Sequence, residues 1–161
     1  MKLFHGSTEI VSTPEIRIPD RTLDYGSGFY TTTSLQQAQD WVRRRIKEKE
    51  THKGYVNCYE FDESALKSMN CLIFSAPNEE WVDFVMNNRT QRGFSHDYDI
   101  VYGPVANDRV YAAFALYEGG LLDKQNLIAE LKTYKLVDQL LFHTDTALRS
   151  LTFIEAKEET K

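Results

Sequence analysis

The alternation of apolar and polar residues is most regular around positions 29–49. Phe29–Thr33 is aromatic and β-branched, a composition that strands favour. Ser34 and Gln37, three residues apart, have the form of a capping box at the start of a helix. Apolar residues then recur at helical spacing: Leu35, Ala38, Trp41, Val42 and Ile46. The pattern therefore predicts a short strand and then a helix to about Lys49, with this apolar stripe turned inward.

The remaining segments are also predicted as short strands and short helices. Strands are predicted at Leu3–Phe4, Tyr55–Phe61, Tyr98–Tyr102, Leu136–Phe142 and Leu151–Ile154. Helices are predicted from Asn78 to about Arg92–Gly93, from Asn107 or Asp108 to Gly119–Gly120, from Asp123 through Leu131, and from Thr144 to Arg149. Gly103–Pro104 is interpreted as a turn, and Ser12–Asp20 as an irregular connection. Because strands and helices mix without strict alternation, the predicted fold class is α+β with a largely antiparallel sheet.

The composition fits one globular domain. The chain has 161 residues, of which 42% are hydrophobic and 27% are charged, and no repeat or linker divides it. We therefore expect a single domain over residues 1–161. No apolar stretch approaches the roughly eighteen residues that span a membrane, and the first residues lack the apolar core of a signal peptide. A cytoplasmic protein is the expectation.

The charge pattern argues against recognition of nucleic acid through the overall electrostatic field. The formal net charge is −5, whereas phosphate binding needs a concentrated basic surface. Arg43–Lys47 is a local basic run, but Glu48 and Glu50 follow it, so a solvated helix face is favoured over a nucleic-acid patch. Cys58 and Cys71 are too few for a disulfide framework and are interpreted as reduced thiols.

Two short segments carry candidate chemistry. His5-Gly6-Ser7 ends the first strand, and Gly26-Ser27-Gly28-Phe29-Tyr30 precedes the capped helix. Taken separately, such a histidine is typical of an ordinary hydrogen-bonded residue, and such glycines are typical of a turn. The spacing does not fit the dinucleotide-binding G-x-G-x-x-G, and Tyr30 would block its phosphate cradle, so a Rossmann site is excluded. The other histidines, His52, His96 and His143, are scattered, and no metal site is predicted.

Taken together, the two segments resemble the signature of the ADP-ribosyltransferase superfamily. The resemblance is to its diphtheria-toxin-like and poly(ADP-ribose) polymerase-like H-Y branch, in which H-G-[ST] is followed by G-x-G-x-Y and a helix. The chain also resembles, over nearly its full length, the DUF3990 family of bacterial proteins, through Asp24–Tyr30, Gln37–Trp41, Asn88–Arg89 and Asp99–Asp108. These resemblances imply an ADP-ribosyltransferase-like fold, with a split, largely antiparallel sheet flanked by helices, and NAD as the co-substrate.

The superfamily resemblance assigns roles to the matched positions. His5 would hydrogen-bond a ribose hydroxyl of NAD, Gly6 would offer backbone groups to the nicotinamide carboxamide, and Ser7 would add a hydroxyl. Tyr30 would stack on the nicotinamide ring, with Trp41 as a second aromatic wall. For Trp41, core packing on the helix stripe is the competing interpretation. We expect the His5 and Tyr30 side chains to line opposite walls of one nicotinamide slot.

The superfamily usually places a catalytic glutamate on a late strand, and Gln139 occupies that place here. The implied catalytic set is therefore Gln139, His5 and Tyr30. An amide has no charge to stabilise the oxocarbenium-like state of glycosidic cleavage, which disfavours polymer elongation. Asp138 would point to the opposite face of the strand and is a poor substitute. Arg89 is a candidate ligand of the pyrophosphate, with pairing to a carboxylate as the alternative.

The resulting functional hypothesis is an NAD-dependent mono-ADP-ribosyltransferase, a transferase of the glycosyl class. The resemblance also suggests a bacterial toxin or effector with a small cognate antitoxin protein as partner. The acceptor stays open among a protein side chain, a nucleic-acid end and water. Because the glutamate is missing, a catalytically silent module that binds NAD or ADP-ribose is the main alternative. An interaction protein that has lost the pocket is the third possibility.

Overall fold

The computed structural model describes residues 1–18, 23–105 and 108–160, without the side chain of Asp108. Within these ranges it contains seven strands and six helices. The strands are β1 (Lys2–Ser7), β2 (Phe29–Thr31), β3 (Lys53–Phe61), β4 (Cys71–Ile73), β5 (Ile100–Pro104), β6 (Asp138–Phe142) and β7 (Leu151–Thr160). The helices are α1 (Leu35–Glu48), α2 (Ala65–Ser68), α3 (Glu79–Thr90), α4 (Asp108–Glu118), α5 (Lys124–Lys132) and α6 (Asp145–Leu148).

The strands form two sheets. One has the order β1-β3-β7 and is antiparallel throughout. The other has the order β2-β6-β5-β4, in which only the β4–β5 pair is parallel. The predicted α+β class with a largely antiparallel sheet is therefore confirmed.

In the described part of the chain, one isolated bridge joins the two sheets. The Phe4 amide donates to the Thr32 carbonyl at 2.8 Å, and the Thr32 amide donates back to the Phe4 carbonyl at 3.0 Å. The bridge is isolated, so β1 and β2 pair at this point and are not paired on either side of it within the described residues. The junction between the sheets is therefore also the place where they diverge.

Three groups of buried side chains fill the spaces between the layers. The largest lies between the second sheet and helices α3, α4 and α5, and includes Trp81 and Phe114. The next lies on the opposite face of that sheet and includes Leu3 from the first sheet with Phe29 and Phe142 from the second. The smallest holds α1 against the first sheet through Ala38, Val42, Ile46 and Val56.

The predicted helix starts are confirmed where the structure describes them. Ser34, Asn78, Asp123 and Thr144 each accept, through the side chain, a hydrogen bond from the backbone amide three residues later. Such a bond satisfies an amide that the helix itself leaves unpaired, which fixes the start of the helix in the sequence. The proposed caps Asn107 and Asp108, and the connection residues Pro19 and Asp20, lie outside the described residues or side chains.

Other predictions were wrong in detail. Gly103 and Pro104 are not a turn, because they continue β5 and pair with Gln139 and Asp138. Helix α2 and strand β4 were not predicted, since elements of four and three residues are too short to show a period. Strand β7 is much longer than Leu151–Ile154, because its charged second half pairs with β3.

The inward stripe of α1 is also narrower than predicted. Ala38, Val42 and Ile46 are buried, whereas Leu35 is 42% exposed and Trp41 is only partly buried. Cys58 and Cys71 are free thiols, as expected. In the described ranges, none of the helices has the length and apolar character needed to cross a membrane.

Candidate functional site

The divergence of β1 and β2 leaves backbone hydrogen-bonding groups facing a gap. Along β1 the residues alternate between the two edges of the strand. Met1 faces β3, because its carbonyl accepts from the Phe61 amide at 2.8 Å, whereas Phe4 faces β2. Gly6, two residues after Phe4, therefore turns its N–H and C=O towards β2, where the bridge does not continue. One donor and one acceptor at this point suit a ligand that carries both, such as a carboxamide.

His5 reaches across the same gap. Its Nδ1 lies 2.7 Å from the backbone oxygen of Tyr30. Because a carbonyl oxygen only accepts, Nδ1 carries the proton, and the neutral ring keeps Nε2 as an acceptor. No hydrogen bond to Nε2 is found among the described residues. Burial lowers the pKa of His5, which keeps the ring neutral.

Gly6 is required by the packing of α1 on β1. A Cβ at this position would lie 2.5 Å from the Ala38 carbonyl oxygen and 3.0 Å from a methyl of Val42. The same Cβ would lie 3.2 Å from Cδ1 of Trp41, so the indole of Trp41 sits directly beside Gly6. The glycine thus allows close packing and brings an aromatic ring to the gap.

Tyr30 lies on the same face of the sheet as Gly6. The rings of His5 and Phe29 are 4.4 Å apart on one face, and residues next to them in each strand point to the other face. The expectation that the His5 and Tyr30 side chains face each other across one slot is therefore corrected. The imidazole contacts the backbone of Tyr30, while the Tyr30 ring and Trp41 share the opposite face.

The turn before β2 fixes the Tyr30 hydroxyl. This hydroxyl donates to the Gly26 carbonyl at 2.8 Å and accepts from the Tyr25 amide at 3.4 Å. Gly26 has φ +82°, a left-handed conformation that favours glycine, and a Cβ there would lie 2.8 Å from Oδ1 of Asn88. Burial raises the pKa of Tyr30 well above its ordinary value, so the phenol stays protonated and keeps its donor.

Two histidines for which the sequence predicted no role contact backbone carbonyls of the same turn. His96 Nε2 lies 3.2 Å from the Tyr25 carbonyl oxygen, and His143 Nδ1 lies 2.7 Å from the Ser27 carbonyl oxygen. Their rings are perpendicular with centroids 4.5 Å apart. Burial lowers the pKa of His143 to about 4, and its Nε2 is buried with no hydrogen-bond partner in the described part of the chain.

Gln139 lies on the helix-facing side of the second sheet, two residues from Leu141, which pairs with Tyr30. Its side chain is 6% exposed and donates to the Pro104 carbonyl at 3.5 Å. That carbonyl also accepts from the Tyr25 hydroxyl at 2.8 Å, which in turn accepts from Nε1 of Trp81 at 2.6 Å. Gln139 is thus part of a buried network centred on Tyr25, a network that no local sequence pattern signals.

Asp138 points to the other face, as predicted from strand alternation. Its carboxylate accepts from the Thr33 amide at 2.9 Å, from the hydroxyl of Thr32 at 3.2 Å and from that of Tyr102 at 3.3 Å. These bonds tie the end of β2 to β5 and β6. Asp138 therefore has a structural role on the side away from Gly6.

Arg89 pairs with a carboxylate, which was the alternative interpretation. Its Nη1 lies 3.3 Å from Oδ1 of Asp24. The guanidinium carbon lies 4.6 Å from the ring centroid of Tyr111 and 5.5 Å from that of Phe114. Its predicted contact with a pyrophosphate stays a prediction. Ser7, the third residue of the first motif, accepts from the Glu9 amide at 3.2 Å and ends β1.

The basic run on α1 has partners within the protein. Arg43 pairs with Asp40 at 3.0 Å, and Arg45 pairs with Glu48 at 2.9 Å. Arg44 lies over the ring of Trp41, at 5.6 Å. This arrangement is that of a solvated helix face, the interpretation favoured from the sequence.

Neither of the two described cavities is lined by His5, Gly6, Tyr30 or Trp41. The larger, about 300 Å³, is lined by residues such as Pro77, Tyr134 and Asp138 near the end of β5. The smaller, about 110 Å³, lies between α1 and the first sheet, beside Phe4 and Cys58. Among the residues that the structure describes, no three or more histidine, cysteine, aspartate or glutamate side chains are grouped so that they could hold a metal ion.

Comparison with known proteins gives one match. A family model described as "Protein of unknown function (DUF3990)" matches residues 1–153. No curated protein matches the chain, and no solved structure matches it.

Proposed function

The chain belongs to the DUF3990 family, and we propose that it binds NAD at the β1–β2 gap and acts as a mono-ADP-ribosyltransferase with an ADP-ribosyltransferase-like fold. The observation that carries the proposal is the set of groups around Gly6. Its backbone donor and acceptor face an unpaired gap, Trp41 lies beside it, and the Tyr30 ring shares its face of the sheet. The neutral His5 imidazole borders the gap with an acceptor at Nε2.

Each group matches one part of the co-substrate. The nicotinamide carboxamide has an NH2 group that donates and a carbonyl oxygen that accepts, and the C=O and N–H of Gly6 complement them. The cationic ring gains stacking and cation–π attraction from Tyr30 and Trp41, on the order of 1–2 kcal/mol per face when water is excluded. A ribose hydroxyl donates to His5 Nε2, and the Ser7 hydroxyl lies one residue beyond Gly6. Residues His5, Gly6, Ser7, Tyr30 and Trp41 thus form the proposed binding set.

The proposed reaction breaks the bond between nicotinamide and the ribose C1 atom. The bonding electrons leave with nicotinamide, and an acceptor atom forms the new bond to C1 and loses its proton. The resemblance assigns the place of the glutamate to Gln139, but its amide carries no charge and its Nε2 donates to the Pro104 carbonyl. The proposed activity is therefore slow transfer of a single ADP-ribose, to a protein side chain, a nucleic-acid end or water.

The same observation supports a second candidate function, a module that binds NAD or ADP-ribose without turnover. Gln139 is 6% exposed and lies within the network of Tyr25 and Trp81. A group held in this way contributes to stability, and it has to leave its partners to reach a ribose. The two functions share the binding half of the site and differ only in bond cleavage.

One experiment separates these functions. The purified chain is titrated with NAD and ADP-ribose by calorimetry, and nicotinamide release and label transfer from labelled NAD are measured in bacterial lysate. Transferase activity predicts binding, release and transfer, all of which His5→Ala and Trp41→Leu reduce about tenfold or more. Binding without release at any enzyme concentration supports the silent module. If neither NAD nor ADP-ribose binds, both proposed functions are wrong. The third hypothesis, an interaction protein that has lost the pocket, is then favoured.

The control is Phe61→Leu, which also exchanges an aromatic ring for leucine but lies at the end of β3 opposite Met1, away from Gly6. Phe61 is 1% exposed and its ring packs against that of Phe142. Its replacement is expected to lower stability and to leave the affinity for NAD unchanged. A loss of affinity equal to that of Trp41→Leu would mean that the effect of Trp41 is only one of folding.

A further inference from the structure

We propose that the ion pair of Arg89 with Asp24 is a brace for the nicotinamide-binding turn, so that Arg89 positions the Tyr30 ring through Asp24 instead of contacting a phosphate. This inference rests on the proposed function, because it concerns the same binding site. It replaces the pyrophosphate role that the sequence alone suggested for Arg89.

The first argument is that the guanidinium of Arg89 already has partners: a carboxylate at its edge and aromatic rings at its face. Its edge meets Asp24 at 3.3 Å, with the two side chains 23% and 11% exposed. Its carbon lies within cation–π distance of Tyr111 and Phe114. A contact with a phosphate would draw the guanidinium away from a carboxylate that is nearly buried. Separating an ion pair whose two side chains are this little exposed costs free energy.

The second argument is that Asp24 is joined directly to the turn that fixes Tyr30. Asp24 precedes Tyr25, whose amide donates to the Tyr30 hydroxyl at 3.4 Å. That hydroxyl donates to the Gly26 carbonyl at 2.8 Å. A shift of Asp24 therefore moves both backbone groups that orient the Tyr30 ring.

The third argument is that the brace adds a charged contact between the loop and two helices that already pack against each other. Arg89 belongs to α3, Tyr111 and Phe114 belong to α4, and Asp24 lies in the loop before β2. These contacts therefore hold the turn against two helices that pack together. A loop held to rigid helices can keep an aromatic wall in place before the ligand arrives.

The test uses ligands that differ in phosphate content. Nicotinamide, which has no phosphate, and ADP-ribose, which has two, are titrated against the full chain by ligand-observed NMR and calorimetry. Arg89→Gln and Asp24→Asn are each expected to weaken nicotinamide about tenfold, because both release the turn. The double variant is expected to be no weaker than either single variant, since the two residues act as one unit.

Two further variants keep the test falsifiable if the first ones lose stability. Arg89→Lys preserves the charge but not the planar stacking, and is expected to retain more nicotinamide affinity than Arg89→Gln. Asp83→Asn is the matched control, because Asp83 also lies on α3 and pairs with Lys124 at 2.6 Å, far from the turn. It is expected to leave both affinities unchanged. The thermal unfolding temperature of every variant shows whether the substitution lowers the stability of the whole fold.

The outcomes distinguish this inference from the proposed function. If Arg89→Gln weakens ADP-ribose and leaves nicotinamide unchanged, while Asp24→Asn has no such effect, Arg89 is a phosphate ligand and the brace is wrong. Additive effects of the two substitutions, or an equal loss in Asp83→Asn, also overturn the brace. If the wild-type chain binds neither ligand, the proposed function itself fails and the brace fails with it.

Discussion

The gap beside Gly6 and the network around Gln139 lie on the same face of connected sheets, but they differ in how their polar groups are satisfied. At Gly6 the strands diverge after one bridge, and a backbone donor and acceptor face the gap. At Gln139 the polar groups of Tyr25, Trp81 and Pro104 bond to one another in the interior. Satisfied polar networks stabilise a fold, whereas an open pair of backbone groups can serve a ligand. The binding half of the proposed site, around Gly6, is therefore called the open region, because its backbone groups face a gap. The catalytic half, around Gln139, is called the closed region, because its polar groups bond to one another.

The substitution Gln139→Glu tests the closed region and has the largest expected effect. A carboxylate would replace the amide donor opposite the Pro104 carbonyl, and burial would raise its pKa. We expect the free energy of unfolding to fall by about 4 kcal/mol at pH 7. The loss should shrink as the pH falls below the ordinary glutamate pKa of about 4.3, because the glutamic acid then becomes protonated in the unfolded as well as the folded state.

Urea unfolding at several pH values measures this effect, with Gln139→Met as the neutral control. The contrast between the two regions is contradicted if Gln139→Glu is as stable as the wild type and also releases nicotinamide from NAD faster. In that case the residue is accessible, and the closed region is part of the active site after all.

Acid unfolding tests the support beneath the turn. The ordinary pKa of histidine is about 6.5, and burial lowers that of His143 to about 4. Between these values the unfolded chain binds the proton and the folded chain does not, so stability falls as the pH falls through this window. The loss attributable to His143 is about 3 kcal/mol when the pH reaches 4.

The variant His143→Asn keeps a donor for the Ser27 carbonyl but cannot titrate. Its free energy of unfolding should therefore depend less on pH between 6.5 and 4 than that of the wild type. An identical pH dependence in the two proteins would show that other groups cause the acid sensitivity.

The substitution Gly6→Ala tests the open region. Its Cβ would meet the Ala38 carbonyl oxygen at 2.5 Å, so α1 has to move away from β1. We expect a loss of about 2 kcal/mol in the free energy of unfolding and weaker NAD binding, because Trp41 moves with the helix. Gly119→Ala is the control, since its Cβ would meet its nearest atom at 3.2 Å. Equal stability of Gly6→Ala and the wild type would contradict the tight packing at the gap.

The substitution Tyr30→Phe has the smallest expected effect and sharpens the comparison. It removes the hydrogen bond to the Gly26 carbonyl but leaves the ring. The expected loss of stability is about 1 kcal/mol, with a severalfold weaker affinity for nicotinamide because the ring is less well fixed. Calorimetry and urea unfolding measure the two quantities. A Tyr30→Leu variant should lose much more affinity, and similar affinities of the two variants would argue against stacking.

Local patterns in the sequence predicted much of the secondary structure. The helix starts at Ser34, Asn78, Asp123 and Thr144 were predicted correctly, because the side chain that caps a helix bonds an amide only three residues away. The apolar periods placed most helices and strands for the same reason. The failures at α2 and β4 concern elements too short to show a period, and β7 was underestimated because its partner strand, not its own pattern, orders its charged half.

What the sequence alone determined is therefore most of the helices and strands, the α+β class and the two motifs that carry the family resemblance. What the tertiary structure decided is where the side chains of that site point. The pairing of Arg89 with Asp24, the burial of Gln139 and the contact of His5 with the Tyr30 backbone each join residues far apart in the chain. Periodicity and capping act within one turn or one strand, whereas these contacts exist only after the sheets and helices have packed.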